Sequence, residues 1–118
     1  MGGLVAFGGQ GMPLAMATAI IETLGAASMP FALCPTLTVG AIEALLHHAT
    51  PEQQARYLPR LVSGEWTGTM NLTEPQAGSD VGALRTAATP ITQGAHAGKW
   101  HIAGTKIFIS WGEHALAE

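Results

Sequence analysis

The spacing of apolar and polar residues changes near Gly64, from helix-like groupings before it to two-residue alternation after it. Residues 13–24 are apolar nearly all round, which predicts an inner helix with Pro13 in its first turn and Gly25 as its stop. Pro30 and Pro35 then bracket a break. Residues 37–48 predict a second helix, with Leu37, Ala41, Ile42, Leu45 and Leu46 on a broad apolar face. Thr50-Pro51-Glu52-Gln53 predicts the start of a third: threonine caps, proline fits the first position, glutamate favours the positive end and glutamine completes a capping box. Pro59 lacks the amide that an uninterrupted helix would use, so a kink or restart is expected there before an end at Ser63-Gly64.

Beyond Gly64, Trp66, Gly68, Met70 and Leu72 alternate with Thr67, Thr69, Asn71 and Thr73, the pattern of a half-buried strand over 65–73. It stops at the turn Thr73-Glu74-Pro75-Gln76-Ala77-Gly78-Ser79-Asp80. A further strand is expected within 85–91 and a loop over 92–98. Two runs around Ala103-Gly104-Thr105 read as a hairpin, whose second arm sets Ile107 and Ile109 on one side and Lys106, Phe108 and Ser110 on the other. The expected class is α+β, a helical segment at 1–64 followed by an antiparallel β domain at 65–118.

Composition adds a size constraint. Of 118 residues, 47% are apolar and only 11% charged, which suits a piece buried inside a larger protein or an oligomer. Residues 111–118 carry no glycine or proline stop after Gly112 and read as a loop entering further structure, so a fragment is expected. The net charge of −3 and five scattered Lys and Arg residues give no basic stripe, which argues against a nucleic-acid partner. A single cysteine, Cys34, lies in an apolar run and is expected to be a buried neutral thiol. There is no basic leader, and residues 14–24 are too short to cross a bilayer, so no membrane span and a cytoplasmic, reducing setting are expected.

The turn at 73–80 holds the candidate chemistry. Its backbone amides, the hydroxyls of Thr73 and Ser79 and the small Gly78 suit the edge of an electron-rich ring or a phosphate, although an ordinary turn uses the same residue types. Glu74 and Asp80 lie beside the turn with no base near them in sequence, and Asp80 is placed to cap the next segment; neither is read as catalytic. His47 and His48 point in different directions on a helix, and His96, His101 and His114 have no companion at metal-ligand spacing, so no metal site is expected.

Four motifs together carry a resemblance: Phe7-Gly8-Gly9-Gln10-Gly11-Met12-Pro13, Thr50-Pro51-Glu52-Gln53-Gln54 with Tyr57-Leu58-Pro59, the turn at 72–80, and Gly104-Thr105-Lys106-Ile107-Phe108-Ile109-Ser110. In order and spacing the chain resembles the acyl-CoA dehydrogenase family. The last motif, continued through Trp111-Gly112-Glu113-His114, is similar to the larger subgroup that includes 3-(methylthio)propanoyl-CoA dehydrogenases. The resemblance implies the end of an N-terminal helical domain and the start of a middle β domain, without the C-terminal helical bundle. It implies FAD as cofactor, contacted by Met70, Leu72, Thr73, Gly78, Ser79, Phe108, Ile109 and Ser110, with Thr73 at the pyrimidine edge and Ser79 near the CoA side of the substrate. Phe108 and Ser110 stand where many members have tryptophan and threonine, which keeps a flat apolar surface and a hydroxyl.

The implied reaction converts an acyl-CoA thioester to the trans-2-enoyl-CoA, by α-proton abstraction and β-hydride transfer to flavin. An electron-transferring flavoprotein is the implied reoxidant, and the full-length enzyme is expected to be a homo-oligomer. The family's glutamate base lies in the C-terminal domain, so no catalytic residue is assigned in this chain. A noncatalytic flavin- or DNA-associated relative, and an acyl-CoA oxidase, remain alternatives.

Overall fold

A computed structural model describes residues 5–116. Helices come first and a small antiparallel sheet follows, the α+β order expected from the sequence. The chain divides into two units, one formed by Met1–Met70 with Ser110–Glu118 and the other by Asn71–Ile109.

In the first unit a short 3-10 turn, Val5–Phe7, precedes helix α1, Leu14–His48, and helix α2, Pro51–Ser63. The expected stop at Gly25 does not occur. Glycine in a helix costs about 1 kcal/mol relative to alanine, too little to end a long apolar helix. The break falls instead at Ser28, whose backbone is extended (φ −158°, ψ 97°). Its position follows from Pro30, whose ring would strike the carbonyl of Ala26 in a continuous helix. The extended Ser28 moves that turn aside and leaves Pro30 in the first turn of the next helical stretch, where a missing amide is harmless. Pro35 lies inside that stretch and deprives the Phe31 carbonyl of its usual donor.

Helix α2 starts as its sequence indicates. The Thr50 hydroxyl accepts from the Gln53 amide at 3.3 Å, and the Gln53 side chain accepts from the Thr50 amide at 2.9 Å. The helix continues through Pro59 without a restart and ends at Gly64 in the left-handed region (φ 82°). With Ala49 and Thr50 alone between the helices, α1 and α2 are close neighbours. Gln54 completes the corner by donating from Nε2 to the carbonyls of Leu45, Leu46 and Ala49 at 3.1–3.2 Å, closing the open end of α1.

Ile42, Leu58 and Leu61 form the core between the helices, flanked by Phe7, Leu45, Leu46, Tyr57, Val62 and Trp66. Much of α1 stays uncovered: Leu14, Met16, Met29, Phe31, Leu33 and Val39 are all exposed. By length and composition α1 is also apolar enough to cross a membrane, which corrects the limit drawn from residues 14–24. A core helix satisfies the same test.

Residues 65–73 do not form the expected strand. They have no strand beside them, and a strand needs a ladder partner. Residues 66–69 are held against α1 instead. The Gly68 amide donates to the buried Thr38 hydroxyl at 3.1 Å, and a side chain at Gly68 would overlap Ala41. Thr69 Oγ1 donates to the Ser110 carbonyl at 2.6 Å, Thr67 Oγ1 meets His114 Nε2 at 2.9 Å, and Trp111 Nε1 donates to the Pro30 carbonyl at 2.9 Å.

The second unit contains the sheet. Strand β1, Ala87–Pro90, pairs antiparallel with β2, Trp100–Ala103, in the register Ala87 to Ala103 and Pro90 to Trp100. The hairpin therefore closes over the loop at 91–99 and not at Ala103-Gly104-Thr105. Gly94 and Gly98, both at positive φ, supply the left-handed residues that this closing loop uses. Gly104 instead allows close approach: a Cβ there would lie 2.9 Å from the Cα of Thr86 and would collide with its side chain.

These contacts set two expected stability losses. Leu58 is fully buried, so Leu58→Ala should lower the unfolding free energy by about 2–5 kcal/mol. Gly104→Ala should cost roughly 1–3 kcal/mol through overpacking against Thr86. Urea unfolding of each variant checks both, and an unchanged midpoint for either would remove the packing argument at that position.

Candidate functional site

The turn at 73–80 closes on itself. The Glu74 and Ala77 backbones exchange both hydrogen bonds, each at 3.0 Å, and Pro75 supplies the fixed φ that the first corner needs. Asp80 then caps the 3-10 turn Val81–Ala83 by accepting from the Gly82 amide at 3.0 Å.

Glu74 does not face solvent. It is 3% exposed, and its carboxylate accepts four hydrogen bonds: from Lys106 Nζ at 2.7 Å and the Thr86 amide at 3.0 Å on Oε1, and from the Arg85 amide at 2.8 Å and Gln76 Nε2 at 2.6 Å on Oε2. The Lys106 ammonium, followed by hydrogen bonds that include those from the Arg85 and Thr86 amides, holds this carboxyl far below its usual pKa of 4.5. Lys106 Nζ also donates to the Leu72 carbonyl at 3.0 Å. The neighbouring Ile107 amide donates to the Thr73 carbonyl at 3.0 Å. Residues 72–74 and 106–107 are thus fastened side by side within the second unit.

Six of the expected contact residues lie in that unit. Leu72 and Thr73 are half-buried, and among the described residues the Thr73 hydroxyl has no hydrogen-bond partner. Gly78 and Ser79 are exposed, and no protein atom lies within 4 Å of where a Cβ at Gly78 would sit. Phe108 is 86% exposed with φ at 56°, and Ile109 is half-buried. The other two belong to the first unit: Met70 is exposed and follows Thr69, whose hydroxyl holds the Ser110 carbonyl.

The expected face shared by Phe108 and Ser110 is not formed by strand alternation. Residues 104–109 have no ladder partner, and the left-handed backbone at Phe108 breaks the two-residue repeat on which that expectation rested. A non-glycine aromatic in this region is strained, and such strain gathers at ligand-contacting positions. Sequence reading also left Lys106 and the amides of Arg85 and Thr86 outside the site. A lysine 32 residues from its glutamate leaves no local signal, because only the folded chain brings them together.

Among the described residues, no group of three or more His, Cys, Asp or Glu side chains is placed to hold a metal ion. His114 is engaged with Thr67 Oγ1 and accepts from the Leu116 amide at 3.2 Å, while His47 lies 3.6 Å from Glu43 on the surface of α1. Cys34 is buried, and loss of hydration pushes its thiol pKa up.

The model of the acyl-CoA dehydrogenase N-terminal domain matches residues 4–65. The chain belongs to the acyl-CoA dehydrogenase family. It is 50% identical to 3-methylmercaptopropionyl-CoA dehydrogenase of Ruegeria pomeroyi over 94% of this chain and 18% of that protein. It is 43% identical to a butyryl-CoA dehydrogenase of Syntrophomonas wolfei over 90% of this chain and 17% of that protein. It is 37% identical to acryloyl-CoA reductase (NADH) of Anaerotignum propionicum over 92% of this chain and 27% of that protein. The chain therefore spans about a sixth of the first two relatives. Within this family α1 is read as a packing helix of the N-terminal domain.

The depressed pKa of Glu74 has a definite sign. Its ionised form is favoured in the folded state, so its contribution is complete above its unfolded value near 4.5 and is lost as pH falls through the lower folded value. Unfolding free energy should therefore decline below about pH 5 in the wild type. The decline should be shallower in Glu74→Gln, which has no proton to bind there. Identical acid limbs in denaturant titrations across this range would contradict the burial and pairing of Glu74.

Proposed function

We propose that this chain is the flavin-contacting part of an FAD-dependent acyl-CoA dehydrogenase that oxidises an acyl-CoA thioester to its trans-2-enoyl-CoA. Family membership supports the reaction class. The observation that carries the reading is the pair of fastened segments, with Thr73 anchored through its carbonyl while its hydroxyl is uncommitted and Phe108 held outward.

The residues present fit a flavin. An isoalloxazine ring has broad apolar faces and a polar pyrimidine edge. Phe108 offers an exposed flat surface for a face, the Thr73 hydroxyl offers a donor and acceptor for the edge, and the open space at Gly78 lets a ligand approach the backbone. When bound, FAD supplies the acceptor for the hydride that leaves the acyl β-carbon. Thr73 orients the ring edge and Phe108 excludes water from one ring face. Ser79 lies toward the CoA side of the substrate.

Neither carboxylate of the turn serves as the base. Glu74 has its oxygens occupied by four donors, and Asp80 accepts from the Gly82 amide. Abstraction of the α-proton falls to a residue outside this chain. The parent protein is a homo-oligomer in a reducing, cytoplasmic setting and passes its electrons to an electron-transferring flavoprotein. The relative named as an acryloyl-CoA reductase supports a second reading, in which the same hydride step runs toward the saturated thioester.

The purified protein carrying this sequence, saturated with FAD, should show flavin absorbance that bleaches with 3-(methylthio)propanoyl-CoA or butyryl-CoA. Absence of both retained flavin and bleaching would sink the proposal. Bleaching by NADH, followed by reoxidation with an enoyl-CoA and none by acyl-CoA, would select the second reading. Phe108→Ala should weaken FAD binding by about 0.5–1.5 kcal/mol, and a flavin titration with unchanged Kd would take Phe108 out of the site.

A further inference from the structure

Lys106 and Glu74 form an ion pair whose side chains are 22% and 2% exposed. Stability alone accounts poorly for such a pair, because burying two charges costs about as much as their attraction returns. Its location supplies a reason. The one ammonium holds both the Leu72 carbonyl and the Glu74 carboxylate, which brackets Thr73 from either side. The adjacent Ile107 amide fixes the Thr73 carbonyl, and Phe108 is the next residue along. The carboxylate in turn fixes the Arg85 and Thr86 amides. Among the described residues the Thr73 carbonyl is committed and its hydroxyl is not.

We propose that Glu74 and Lys106 are a positioning pair for the flavin, aligning Thr73 with Phe108 and keeping the ring's surroundings free of net charge. This inference rests on the flavin reading above. The pair is neutral as a unit, so it anchors the backbone without adding net charge beside a group that changes charge on reduction. Removing one partner leaves the other charge uncompensated in a poorly hydrated place, where it acts strongly. Glu74→Gln leaves the ammonium, which stabilises the more negative reduced flavin. Lys106→Met leaves the carboxylate, which opposes it.

Two measurements on the intact protein separate alignment from mere support. In the FAD-loaded protein, the flavin reduction potential should rise in Glu74→Gln and fall in Lys106→Met. It should return toward the wild-type value in the double variant, and Lys106→Arg, which keeps the charge, should stay near wild type. In the FAD-free protein, the Arg85 and Thr86 amides should exchange with deuterium faster in Glu74→Gln by roughly tenfold or more, as loss of a charge-assisted hydrogen bond allows. Potential shifts of the same sign in both single variants, or none, overturn the proposal, since general loosening has no reason to follow the sign of the charge. Unchanged exchange overturns it as well. Failure of the wild-type protein to bind FAD, with exchange still accelerated, rejects the flavin reading and reduces the pair to a structural clamp.

Discussion

The arrangement of the second unit depends on how the carboxylate of Glu74 is satisfied. A buried carboxylate is tolerated only where its lone pairs are filled. Here they take one ammonium, one side-chain amide and two backbone amides. Those donors come from Lys106, Gln76, Thr86 and Arg85, so one side chain ties together the turn, the segment entering β1 and the segment leaving β2. The short sheet could not do this alone. A two-stranded hairpin with both strands exposed is marginal in water, and its entry and exit segments need an anchor outside the ladder.

The first unit solves a comparable problem with neutral groups. Thr38 is buried on α1, donates to the Cys34 carbonyl at 3.0 Å and accepts from the Gly68 amide. The Gly68 amide is thereby satisfied without a neighbouring strand. Gly68 is required at that point because a Cβ would meet Ala41 and stand 3.4 Å from the Cα of Thr38. Gln54 does the same for the end of α1, where three carbonyls share one amide group. In both units the irregular backbone is anchored to side chains rather than to sheet.

Features governed by near neighbours were legible in the sequence, and features governed by distant contacts were not. The α2 start was readable because all its partners lie within four residues, and Gly64 marked its end for the same reason. The break in α1 was misplaced: Gly25 attracted the stop and Pro30 and Pro35 the break, whereas residues 30–35 are helical and steric conflict ahead of Pro30 places the break at Ser28. Alternation over 65–73 pointed to a strand that does not form, since alternation says nothing about whether a ladder partner exists. The hairpin was displaced because Gly104 reads as a turn glycine, whereas it is needed for contact with Thr86. At the candidate site the turn and the aromatic were visible. The lysine that joins them was not, because the pairing spans 32 residues.

The backbone between 108 and 111 shows what these anchors make possible. Phe108 and Trp111 both have φ of 56°, a region that costs a side-chain-bearing residue roughly 1–3 kcal/mol. Such conformations persist only where the surroundings over-determine them. Before Phe108, the Ile107 amide and the Lys106 ammonium are both committed within the second unit. Around Trp111, the first unit holds the Ser110 carbonyl through Thr69 and the indole through Pro30, and the His114 ring packs edge-on at 4.9 Å. Trp111 is thereby drawn onto the protein, while the strain at Phe108 leaves the ring 86% exposed with no intramolecular burial to offset it. The two residues share a backbone conformation and differ in what their side chains touch. Of the two, Phe108 is the position where the fold spends backbone strain on presenting a surface.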